Sequence, residues 1–145
     1  MSVQYGKCNL DGKLVDPQEL DRLRAALAPY GPDGEGYLSK DNYAVLYRGF
    51  HTTRESRPES QPSITPSGAV VTWDGRLDNR SELIDELKDT ELADALPTNA
   101  TDLAIVSAAY EQWGIDSFAK LLGDWALSIW NPKDHSLVIA KDFMG

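Results

Sequence analysis

Any fold for this chain must bury the stretch Ala-Val-Val-Thr-Trp-Asp-Gly-Arg-Leu-Asp-Asn at 69–79. Residues 69–73 are apolar, β-branched or aromatic, entered through Pro66-Ser67-Gly68 and left at Asp74-Gly75. Such a run reads as a buried strand ending in a tight turn, with a helix expected directly after it at 80–87. A strand tip at Asp-Gly presents backbone amides and a short polar side chain, and glycine lets the backbone approach a ligand closely. Taken alone, Asp74-Gly75 reads as only a turn.

The elements around this strand follow from local pattern. Residues 2–9 are expected as a short strand and 10–13 as a turn. Asp16 before Pro17 starts a helix over 17–28, with Asp as N-cap and Pro at the first helical position; Leu20, Leu23, Leu27 and Ala28 share its apolar face. Residues 30–36, with their glycines and a proline, are expected as an irregular loop. Strands at 37–40 and 43–50 are joined at Asp41-Asn42. Residues 51–66, rich in Thr, Ser, Arg, Glu and Pro, read as a long exposed loop. Beyond a mixed acidic connection at 88–99, Thr101 caps a helix to Trp113 with Leu103, Val106, Ala109 and Tyr110 on one face, and Gly114 ends it. A helical turn at 116–122 and strands at 124–130 and 136–142, flanking a hairpin turn at 131–134, complete the chain. Antiparallel hairpins at both ends, in place of alternating βαβ units, point to an α+β layered architecture.

At 145 residues the chain is read as one domain, 1–145, large enough to build a core without staples. Trp73, Trp113, Trp125 and Trp130 are expected in that core. A net charge of −9 argues against a nucleic-acid partner, whose phosphates are bound by Lys and Arg. The single cysteine, Cys8, excludes an internal disulfide framework and is expected as a small buried hydrophobe. His51 and His135 have no constellation suggesting a metal or a triad. With no apolar stretch of bilayer-spanning length and no leader pattern, no membrane partner is expected and the protein is expected to be cytoplasmic.

A family resemblance emerges when short segments are read in order. Gly6 with Asn9-Leu10-Asp11-Gly12-Lys13, residues 30–34, Tyr47-Arg48-Gly49-Phe50, 74–79, Thr101-Asp102-Leu103-Ala104, 110–114, 123–130 and 140–145 together resemble the glutaminase domain of the asparagine synthetase family, the class II glutamine amidotransferases. Gly6 and Asn9-Leu10-Asp11-Gly12-Lys13 are similar to the continuation of that family's Met-Cys-Gly-Ile-Ala-Gly opening. Residues 30–34 resemble its Arg-Gly-Pro-Asp-Gly loop, Tyr47-Arg48-Gly49-Phe50 its His-Arg-Arg-Leu strand, and 74–79 its Asn-Gly-Glu-Ile-Tyr-Asn turn. Thr101-Asp102-Leu103-Ala104, 110–114, 123–130 and 140–145 are similar to its Ser-Asp-Thr-Glu, Tyr-Glu-x-Trp-Gly, Gly-x-Phe-Ala-x-x-x-Trp and Ala-Arg-Asp-x-x-Gly segments. The resemblance implies an N-terminal-nucleophile hydrolase fold, an αββα sandwich of two antiparallel sheets. It also implies that the chain is C-terminally truncated relative to the family, where further strands and an ATP- and Mg-dependent synthetase domain follow. No cofactor or metal is expected in 1–145 itself; glutamine, a synthetase domain or subunit, and a second copy paired through an exposed sheet edge are the expected partners.

The family's chemistry implies roles for individual residues. The mature first residue is a Cys whose thiolate attacks the glutamine amide while the free α-amine accepts the proton. Ser2 stands at that position, so catalysis would need Met1 removed and a hydroxyl activated. Asp74 and Gly75 stand where an Asn side chain and a Gly amide stabilise the oxyanion; Asp74 brings a carboxylate where the family has a donor. Arg48 corresponds to the grip on the glutamine α-carboxylate and Asp102 to the grip on its α-amine. Their plain alternatives are a strand arginine paired with a carboxylate and a helix N-terminal acid. The reading is a degenerate glutaminase-like scaffold. Its alternatives are an active amidohydrolase using Ser2 to supply ammonia for amide synthesis, and an amino-acid-binding module that does not catalyse.

Overall fold

A computed structural model describes residues 2–90, 96, 97 and 99–144. Part of the 88–99 connection, Met1 and Gly145 lie outside the described residues. The chain divides into two compact units, Met1–Thr52 with Ser60–Pro62, and Thr53–Glu59 with Ser63–Gly145. Each has an antiparallel sheet and helical structure, so the α+β class with two antiparallel sheets is as expected. No helix among the described residues is long and apolar enough to cross a membrane.

The first unit holds β1 (Val3–Cys8), α1 (Pro17–Leu27), β2 (Gly34–Lys40) and β3 (Tyr43–Gly49), with sheet order β1-β3-β2. The Asp16 carboxylate accepts from the Gln18 amide at 2.9 Å and opens α1 as its sequence dictates. Leu20 is buried with Val15 and Ala44, and Tyr5 packs against them; Leu23, Leu27 and Ala28 are half-buried. The 30–36 loop is shorter than expected, because β2 begins at Gly34. Glycine serves close packing there: a Cβ on Gly36 would lie 1.7 Å from the Gln61 carbonyl oxygen. Cys8 is half-buried, with the Asn42 amide 3.6 Å from its Sγ, because it lies on a sheet-edge strand.

The second unit holds β4 (Ser63–Ile64), β5 (Val70–Leu77), α2 (Arg80–Lys88), α3 (Asp102–Trp113), β6 (Gly123–Asn131) and β7 (Ser136–Lys141). Sheet order is β4-β5-β6-β7, and a 3-10 segment, Gly114–Lys120, links α3 towards β6. Trp73, Leu77, Leu83, Leu87, Ile105 and Leu127 form the centre of its core, where the Trp73 and Trp125 rings stack at 5.8 Å. Trp130 is also buried, while Trp113 packs at the periphery. The 51–66 stretch is less open than expected: it carries β4 and buries Gln61 and Thr65, whose Oγ1 accepts from the Ala69 amide at 3.2 Å.

The expected turn at Asp74-Gly75 is the clearest correction. β5 runs through both residues to Leu77, with Asp74 opposite Ala126 and Gly75 opposite Trp125. The glycine is there because β6 comes close: a Cβ on Gly75 would lie 2.6 Å from the Asp124 carbonyl oxygen and 2.7 Å from the Trp125 Cα.

Candidate active site

Because β1 and β3 are antiparallel, the start of the chain returns beside the end of β3, with Val3 opposite Arg48. Ser2 and Arg48 lie at the same end of the sheet but on opposite faces, since Ser2 meets the side chain of Tyr47, the neighbour of Arg48 in β3, while Arg48 reaches the Arg24 carbonyl of α1. Ser2 is buried; its Oγ accepts from the Phe50 amide at 3.1 Å and from the Tyr47 hydroxyl at 3.1 Å. These donors hold the oxygen in one place.

Arg48 is engaged within its own unit. The β2–β3 register sets Glu35 directly opposite it, and the two side chains form an ion pair through Glu35 Oε2 and Arg48 Nη2. The same Nη2 donates to the Arg24 carbonyl at 2.6 Å. Glu35 Oε1 accepts from Arg24 Nε at 2.8 Å, and the Arg24 guanidinium lies 4.6 Å from the centre of the Tyr37 ring. That bond to Glu35 raises the Arg24 pKa above its ordinary value. Gly31 presses on this strand, since a Cβ there would fall 2.5 Å from the Arg48 carbonyl carbon. The plain alternative for Arg48, a strand arginine paired with a carboxylate, describes its present contacts.

In the second unit, Asp74 and Gly75 lie side by side in β5, and Arg76 beyond them pairs with Asp78 at 2.8 Å. Asp102 opens α3 directly after its cap, Thr101, whose Oγ1 accepts from the Ala104 amide at 3.1 Å. Its side chain is almost fully buried. Asp102 Oδ2 accepts from the Leu77 amide at 3.0 Å, two residues past Gly75, and Oδ1 forms an ion pair with Arg80 at the start of α2. Arg80 also donates to the Ala100 carbonyl at 2.6 Å. Asp102 therefore ties α3 to both β5 and α2.

Sequence reasoning did not single out Glu35 and Tyr47 of the first unit, nor Arg80 of the second. Glu35 had a signal: a turn at Asp41-Asn42 fixes the hairpin register, and that register places Glu35 opposite Arg48. Arg80 had none beyond its place at a helix start. Among the described residues, no group of three or more His, Cys, Asp or Glu is placed to hold a metal ion.

Comparison with known proteins supplies the family. The profile described as "Glutamine amidotransferase domain" matches residues 5–145 and so begins just after Ser2. The chain is 26% identical over 133 residues to glutamine-hydrolyzing asparagine synthetase 1 of Bacillus subtilis, covering 90% of this chain and 20% of that protein. It is 27% identical over 125 residues to glutamine-hydrolyzing asparagine synthetase 1 of Arabidopsis thaliana, covering 85% of this chain and 20% of the relative. It is 29% identical over 143 residues to Amidase chry2 of Gibberella zeae, covering 94% and 20% respectively. The chain thus spans about a fifth of the length of these relatives. A profile match over nearly the whole chain, with two asparagine synthetases among its relatives, makes this chain a glutamine amidotransferase domain of the asparagine synthetase family.

Proposed function

We propose that this chain is a glutaminase-type domain that does not hydrolyse glutamine and serves as a scaffold for a synthetase domain. The observation that carries the reading is the carboxylate of Asp74 beside Gly75 in β5, where the family resemblance puts the oxyanion donor. Amide hydrolysis collects negative charge on the carbonyl oxygen, and an ionised carboxylate accepts hydrogen bonds where a donor is needed. Loss of one such donor costs about 10² to 10³ in rate, and an added negative charge costs more. Ser2 compounds this, because a hydroxyl is far harder to deprotonate than a thiol and its α-amine acts as a base only once Met1 is removed. Among the described residues β7 is an edge strand of its sheet, a route to self-association of the scaffold.

Glutamate release from high concentrations of glutamine tests the reading, after intact mass has established the state of Met1. The unaltered chain is expected to be silent, and the Ser2→Cys, Asp74→Asn double variant to gain turnover. Release by the unaltered chain, abolished by Ser2→Ala, would make it an active amidohydrolase and overturn the proposal.

A further inference from the structure

We infer that the Tyr47 hydroxyl and the Phe50 amide form a cradle that stabilises negative charge on the side chain of residue 2, with Asp33 as the positioning residue that aims it. The inference is drawn within the first unit and stands whether or not the domain hydrolyses glutamine. Ser2 Oγ is buried; it accepts from the Phe50 amide at 3.1 Å and the Tyr47 hydroxyl at 3.1 Å, and donates to the Phe50 carbonyl at 3.5 Å. Losing its proton costs the atom only that last contact, the longest of these. The shorter contacts come from donors, and a hydrogen bond to an ionised acceptor is roughly twice as strong as one to a neutral acceptor.

The fold keeps both donors in place. Asp33 brackets the turn that carries Phe50: its amide donates to the Gly49 carbonyl at 3.0 Å, and its carboxylate accepts from the His51 amide at 2.8 Å. Phe50 lies between those anchors, so its N–H stays aimed at residue 2. Tyr47 reaches the same atom beside Gly49, which follows it on the same face of β3. A Cβ on Gly49 would lie 3.3 Å from the Tyr47 ring and 3.2 Å from His51 Nε2. Register sets Gln4 and Gly36 on either side of Tyr47, whereas the charged pair of Glu35 and Arg48 lies on the opposite face. Among the described residues of this unit, the titratable groups at the cradle are Tyr47 itself and, at the turn, Asp33 and His51. Burial disfavours charge at residue 2, and the two donors offset it. Ser2 draws little from this, because a hydroxyl starts too far above neutrality for two hydrogen bonds to ionise it; a thiol does not.

The Ser2→Cys variant of the full chain reads the cradle directly. Its ultraviolet thiolate absorbance is titrated against pH, and that of the matching chain with Ser2 intact, which shares Cys8 and the tyrosines, is subtracted. The midpoint is expected about one pH unit or more below the value of about 8.5 for a free cysteine. Adding Tyr47→Phe removes one donor and keeps the ring, so it should raise the midpoint by about one pH unit, a roughly tenfold loss of thiolate near neutrality. Both proteins are compared in the same state of Met1, fixed by intact mass, so that a neighbouring α-amine acts equally on each. Asp33→Ala should give a higher midpoint than Asp33→Asn, since both remove the same charge and only the Asn variant keeps an oxygen for the His51 amide. A midpoint at or above about 8.5, or one that Tyr47→Phe leaves unmoved, overturns the inference. A merely structural Tyr47 would change stability and leave the titration in place. Should Tyr47→Phe fail to fold, the Asp33 pair decides alone, and equal midpoints overturn the inference. Glutamate release by the unaltered chain sinks the non-hydrolytic reading and leaves this inference standing, whereas an unmoved midpoint does the reverse.

Discussion

Gly75 joins the candidate site to the packing of its sheet, because its backbone sits where a side chain cannot. A Cβ there would press on the Asp124 carbonyl and the Trp125 backbone of β6, neither of which is a flexible side-chain end. Gly75→Ala is expected to cost about 1 to 3 kcal/mol, as overpacking against fixed neighbours does. Gly6, also in a strand, is the control: nothing lies within 4 Å of its built Cβ. Gly6→Ala is expected to be neutral or stabilising by up to about 1 kcal/mol, since alanine loses less freedom on folding. Urea midpoints for the two variants compare them directly, and equal midpoints would mean that β6 yields at Gly75.

The α3 cap gives a second expectation, because Thr101 both starts the helix and presents Asp102. Thr101→Ala removes the hydroxyl that accepts from the Ala104 amide and should cost about 1 kcal/mol, read as a lower thermal midpoint. Thr101→Ser should recover most of that loss; if it does not, the methyl rather than the cap is what matters. Caps of this kind were legible from sequence, as were both helix starts at Asp16 and Thr101, because each depends on residues a few positions apart. The apolar runs of β3 and β5 were legible for the same reason. What escaped was set by distant partners. Asp74-Gly75 has the composition of a turn, and only the nearness of β6 makes it strand. The glycines of 34–36 look like a loop until the Gln61 backbone packs on Gly36. Family resemblance pointed to Asp102, but its counterion was not legible, since Arg80 meets Asp102 only after α2 and α3 have both packed.

Charge and edges set how whole molecules meet one another. β7 ends the four-stranded sheet, and its alternation exposes Leu137 and Ile139, at 55% and 75%, along an edge with no neighbouring strand among the described residues. Unpaired backbone beside exposed apolar side chains favours pairing with a second copy. Against it stands the net charge of −9, which makes copies repel at low ionic strength. Salt weakens that repulsion over a Debye length that falls from about 30 Å at 0.01 M to about 10 Å at 0.1 M, while leaving the edge unchanged. Molar mass by light scattering is therefore expected to rise with protein concentration and with added salt. Ile139→Lys places a charge on the edge and removes its largest exposed apolar group, so it should hold the chain monomeric under the same conditions. A chain that stays monomeric at every salt concentration would show that this edge does not drive association, and an Ile139→Lys variant that associates as the unaltered chain does would move the interface elsewhere.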